Sequence, residues 1–127
     1  MSKNKVVHFE IPAADMKKAK VFYESIFDWK LEMWGDEGAM AYTTAVDKEK
    51  NPSELGGING GFYKRASKNQ QPTLVVQTDS IDETIKKIEK AGGKITTPKH
   101  NIGEWGVMAD FTDLEGNELT LWEEAKK

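Results

Sequence analysis

The chain has no cysteine and only two histidines, His8 and His100. Without thiols, disulfides, thiolate zinc sites, iron–sulfur ligation and a cysteine nucleophile are all excluded. No apolar run approaches the roughly 18 residues of a membrane-spanning helix. The opening MSKNKVVHFEI has only a short apolar stretch followed by polar positions, so no secretory leader is expected. A basic surplus is also missing. The formal net charge is −3, which argues against a protein built to grip phosphate backbones. Together these absences lead us to expect a cytoplasmic protein with neither a membrane nor a nucleic acid as partner.

What is present suits a soluble globular chain. Its 127 residues are 38% hydrophobic and 31% charged, enough to bury a core within one domain. Residues 5–11 alternate as a strand. The segment PAADMKKAKVFYESIFDW follows, with Met16, Ala19, Phe22, Tyr23, Ile26 and Phe27 at helical spacing as one buried stripe and Asp15 as its N-cap. WKLEMW and AMAYTTAV read as strands, DKEKNPSE as a loop, and GGINGGFYKR as a glycine-rich strand. ASKNQQ is a polar connector.

After that connector the same order returns. PTLVVQT is a strand, and DSIDETIKKIEKAGG is a helix with Ile81, Ile85 and Ile88 on one side, stopped by Gly92 and Gly93. KITTP is a short strand, GVMADFT another, DLEG a tight turn and NELTLWE the last strand. The expected fold class is therefore α+β, with two paired βαβββ modules (about 1–66 and about 70–127). They form a strongly curved sheet around a cleft, with the helices outside.

Strand alternation assigns the faces. Val7, Phe9, Ile11, Ile58, Phe62, Leu74, Val76, Leu119 and Leu121 are expected in the core. His8, Glu10, Asn59, Gly61, Tyr63, Thr73, Val75, Gln77, Glu118, Thr120 and Trp122 take the opposite face, toward the cleft. Trp105, between Gly103 and Gly106, is placed on a cleft-bordering loop over 98–106, with His100 as a loop histidine.

The stretches VVHFEIPAADMKKAKVFYESIFDWKLE, GGINGGFYKR, TLVVQTDSIDETIKKIEKAGGKI and GVMADFTDLEGNELTLWE resemble the vicinal oxygen chelate superfamily of glyoxalases, bleomycin-resistance proteins and extradiol dioxygenases. The GGINGG strand is most similar to its bacterial glyoxalase-related subgroup. The resemblance covers the whole chain and implies a homodimer. In metal-using members it implies a divalent ion held by His and Glu from four central strands. Here those points fall at His8, at Asn59 or Gly61, at Thr73 and at Thr120. Of these, His8 alone is a good ligand, and useful affinity needs about three.

Three functions follow from that resemblance. Ranked first is a protein that binds a small organic molecule in its cleft without the usual tightly held metal, through His8 and Glu10 with Asn59, Gly61, Tyr63, Thr73, Gln77, Trp105, Thr120 and Trp122. The second is a metal-dependent lyase, isomerase or dioxygenase using His8 with Glu10 or Glu118. The third sequesters a drug or toxin without turnover. His8 and Glu10 are the candidate catalytic pair, because an imidazole and a carboxylate on an apolar face suit proton transfer near neutrality. Each has a purely structural alternative in a hydrogen bond to a neighbour. The residues themselves name no cofactor.

Overall fold

The computed structural model describes residues 3–126. Among them are eight strands and two α-helices. The chain divides into two compact units: His8–Pro72, and a second from Thr73 onward that also takes the residues ahead of His8.

The first unit holds most of β1 (Val6–Ala13), with α1 (Met16–Phe27), β2 (Lys30–Trp34), β3 (Gly38–Tyr42) and β4 (Asn59–Lys64). β1 lies parallel to β4, while β3 is antiparallel to both β4 and β2. Its order is therefore β2-β3-β4-β1. The second unit holds β5 (Thr73–Gln77), α2 (Ile81–Lys90), β6 (Lys94–Asn101), β7 (Gly106–Thr112) and β8 (Glu118–Glu124). There β5 is parallel to β8, with β7 antiparallel to β8 and β6, so the order is β6-β7-β8-β5. The two orders match strand for strand. The fold is α+β and built from two βαβββ modules, as the sequence pattern predicts.

α1 starts at Asp15, whose carboxylate accepts from the Lys18 N–H at 3.1 Å. Met16, Ala19 and Tyr23 pack on Leu31, Ala39, Ala41 and Phe62. Tyr23 stacks on Trp29 at 5.2 Å and meets the edge of Phe62 at 5.1 Å. The expected stripe is narrower than read, because Phe22, Ile26 and Phe27 are each more than half exposed. A helix lying on one face of a sheet contacts it along only a few positions, here Met16, Ala19 and Tyr23. On α2 the reading holds: Ile81, Ile85 and Ile88 pack with Val76, Ala109, Phe111 and Leu121. Ser80 caps that helix through Glu83 N–H, and the Glu123 carboxylate accepts from Ile81 N–H at 2.9 Å.

Three local expectations are corrected. Leu74 is half exposed, since the apolar cluster under α2 reaches Val76 and stops short of it. β6 is longer than KITTP and takes in His100, opposite Met108, so His100 is a strand residue. Register shifts on either side of Thr97 let the strand accommodate Pro98, which cannot donate to a ladder. β3 ends at Tyr42, earlier than AMAYTTAV suggests, because the Asn59 side chain takes over the next two amides.

The internal repeat extends to one turn. In Asp47–Asn51 the Asp47 Oδ1 accepts from Glu49 N–H and Asn51 N–H at 2.9 and 3.0 Å. In Asp113–Asn117 the Asp113 Oδ1 accepts from Glu115 N–H and Asn117 N–H at 2.8 and 2.9 Å. Both read Asp-X-Glu-X-Asn, and the fourth residue is left-handed in each: Lys50 at φ 67° and Gly116 at φ 82°.

Candidate functional site

Pairing of β1 with β4 places the first module's candidate residues on one face. His8 is the Cα partner of Asn59, Glu10 of Gly61, and Pro12 of Tyr63. Partner residues on neighbouring strands point the same way, so His8, Glu10, Asn59, Gly61 and Tyr63 share a face, as alternation predicts. Phe9, Ile11 and Phe62 occupy the other face, within the α1 core. Met40 joins the polar face as the partner of Gly61.

The glycine pair in β4 is needed on both faces. A Cβ on Gly60 would sit 2.5 Å from the Phe9 ring. A Cβ on Gly61 would lie 3.5 Å from His8 Nε2 and 3.3 Å from the Ala39 carbonyl oxygen. The His8 ring therefore leans along β4 toward Gly61 and uses the room its missing side chain leaves.

His8 is half-buried and its ring makes no hydrogen bond or ion pair among the described residues. Burial without a compensating charge pushes its pKa below the ordinary 6.5, because the imidazolium would lose its hydration. The ring is accordingly neutral near pH 7, able to give one hydrogen bond and take one.

Asn59 is 95% buried, given its 5% exposure. Its Oδ1 accepts from Thr43 N–H at 2.8 Å and Thr44 N–H at 3.1 Å. Those two backbone donors fix the amide orientation. Nδ2 is thus left buried with no hydrogen-bond partner, the single such side-chain atom among the described residues. Sequence reasoning placed Asn59 on this face, but its orphaned donor depends on Thr43 and Thr44, contacts that no local pattern reveals.

In the second module Thr120 is 3% exposed, and its hydroxyl donates to Asp110 Oδ1 at 2.7 Å. Asp110 is the Cα partner of Thr120. It was missed in the sequence, although the alternation of GVMADFT puts it on that face. Val75, the partner of Thr120 on β5, is equally buried. Thr73 and Gln77 are half-buried at the two ends of β5. Trp122 and Trp105 meet, the indole N–H of Trp122 donating to the Trp105 carbonyl at 2.7 Å, while Trp105 itself is 61% exposed. Glu118 is exposed and accepts from the Thr96 hydroxyl. Much of the expected loop 98–106 is the end of β6 and a 3-10 turn at Gly103–Trp105.

The donor set does not fit a divalent metal. Among the described residues no group of three His, Asp or Glu side chains converges. Of the four implied positions His8 alone offers a strong ligand atom, and the Thr120 hydroxyl proton is already committed to Asp110.

Two βαβββ modules of identical strand order, the first with a histidine on its polar face, define a known class of protein. The chain belongs to the glyoxalase/bleomycin resistance protein/dioxygenase superfamily, whose family model matches residues 5–121. It is similar to "Putative glyoxylase CFP32" of Mycobacterium bovis, 25% identical over 120 residues, covering 90% of this chain and 43% of that protein. The chain thus spans less than half the length of that relative. In fold it is similar to hypothetical protein BH1468 from Bacillus halodurans, with TM-score 0.68 and 15% identity over 99% of this chain and 98% of the other. It is also similar to Streptomyces coelicolor methylmalonyl-CoA epimerase, with TM-score 0.69 and 13% identity over 98% and 100%. No helix among the described residues is long and apolar enough to cross a membrane.

Proposed function

We propose that the chain binds a small organic molecule on the sheet face that carries His8, without a tightly held divalent metal. The observation that carries this reading is the donor set. His8 stands where the family would place a metal ligand, yet its ring is neutral and unpaired, and the other implied positions offer amide, glycine or hydroxyl. A neutral imidazole on a half-buried face is suited to hydrogen bonding with an organic ligand or to moving a proton.

The test is metal content. Untagged protein purified without chelator should carry far less than one equivalent of Ni, Zn, Mn or Fe, and chelator should leave its melting temperature unchanged. Small organic solutes that raise the melting temperature should lose that effect in His8→Ala. A stoichiometric ion released by that same substitution would overturn the reading.

A further inference from the structure

Alternation gives the second module a face of its own. Val107, Ala109, Phe111 and Leu121 pack toward α2, so Met108, Asp110, Thr120 and Trp122 point to the other side of the sheet. Two rows of Cα partners cross that side, Val75–Thr120–Asp110 and Gln77–Trp122–Met108. Val75 and Thr120 are buried, while Asp110, Gln77, Trp122 and Met108 are half-buried around them. The Thr120 hydroxyl spends its proton on Asp110 Oδ1 at 2.7 Å and so fixes the carboxylate. Oδ2 has neither a hydrogen bond nor a basic group in range. It is nevertheless open to solvent, because Asn59 Nδ2 is the one occluded and unpartnered side-chain N or O atom among the described residues. A half-buried carboxylate in that state gains from a cation brought to it.

We propose that this face binds a small organic ammonium ion. Asp110 Oδ2 accepts from its N–H groups, and the apolar part of the ion lies on Trp122 and Met108. The Trp122 indole N–H is already given to the Trp105 carbonyl at 2.7 Å. The ring therefore has no donor to offer and presents its π surface, which attracts cations. The other charged or titratable groups on this face are Glu118, Glu124, Lys94 and His100, all exposed. With Asp110, carboxylates outnumber ammonium groups there, which favours a cation over an anion. A bare metal ion is disfavoured, because no group of three His, Asp or Glu side chains converges among the described residues. The site belongs to the second module alone and stands or falls without His8.

The probes are benzylammonium, benzyl alcohol and benzoate, which share a ring and differ in charge. They are followed by NMR on protein with labelled methionine methyl and tryptophan indole groups. Benzylammonium should shift the Met108 methyl and Trp122 indole signals in one saturable process. Benzyl alcohol and benzoate should bind about tenfold more weakly or worse, the loss expected without a charge-assisted hydrogen bond. Asp110→Asn keeps an acceptor for the Thr120 hydroxyl, removes the charge, and should weaken benzylammonium by about the same factor. In the unaltered protein, added salt should weaken benzylammonium and leave benzyl alcohol unchanged, the measurement that serves if Asp110→Asn does not fold. Unmoved Met108 and Trp122 signals would overturn the proposal, as would benzyl alcohol or benzoate binding as tightly as benzylammonium. So would benzylammonium binding that salt does not weaken, or that a folded Asp110→Asn protein retains in full. Asp110 would then serve only to satisfy the Thr120 hydroxyl.

Discussion

Lys50 occupies the same left-handed position in its turn that Gly116 occupies in the other module, at φ 67° against 82°. A side chain there costs about 1–2 kcal/mol, which glycine avoids at the expense of some backbone entropy. Lys50→Gly should therefore raise unfolding stability by about 0.5–1 kcal/mol. Its 3.9 Å pair with Glu32 is exposed and adds little. Gly116→Lys should lower stability by a similar amount. Urea midpoints for the two variants should move in opposite directions.

The two β4 glycines should differ in how much a methyl group costs. Gly60→Ala drives a methyl into the Phe9 ring and should cost about 1–3 kcal/mol of stability through overpacking. Gly61→Ala meets only ordinary or slightly tight contacts and should cost well under that. Thermal melts of the pair test the difference, with Gly60→Ala the less stable.

Glu24 holds the end of α1 to β2. Its Oε2 accepts from Lys20 Nζ at 2.8 Å and from Leu31 N–H at 2.9 Å, and Lys20 also donates to the Leu31 carbonyl. The Lys20 hydrogen bond, then the Leu31 N–H, holds the carboxyl below its ordinary 4.5. This stabilisation is complete above 4.5 and is lost as pH falls through the lowered value. Solvent screens the partly exposed pair, so Glu24→Ala should cost about 1 kcal/mol near neutral pH. The cost should shrink in acid, as measured by urea titrations across that range.

For His8 the sign is the same, though the cause is lost hydration of the charged ring and the window lies higher in pH. The folded chain resists the proton that the unfolded chain accepts below 6.5. Stability should be level above 6.5 and fall as pH drops from there through the depressed folded value. His8→Gln should remove that part of the slope. An identical pH profile in the variant would show that burial of the ring does not penalise its charge.

Element order was legible because periodicity and caps are local. Asp15 and the isoleucines of α2 could be read directly from spacing. Alternation likewise grouped His8 with Asn59 and Gly61. What escaped depended on neighbours distant in sequence. Phe22 and Ile26 fit a helical stripe, and only the width of the sheet contact shows that they stay wet. KITTP reads as a strand that stops at Pro98, whereas an edge position with register shifts carries it on to Asn101. Thr120 was assigned to the ligand face without the Asp110 carboxylate that engages its hydroxyl. The unsatisfied amide of Asn59 exists because Thr43 and Thr44 claim its oxygen, a fact that belongs to the folded backbone alone.

Seven residues, 52–58, separate the first Asp-X-Glu-X-Asn turn from β4, whereas Asn117 runs directly into β8. Within that longer connection Leu55 is wholly exposed. The first connection is thus the natural splice point for a fluorescent reporter or an affinity handle. The same graft after Asn117 would abut a strand whose third residue, Thr120, is sealed inside.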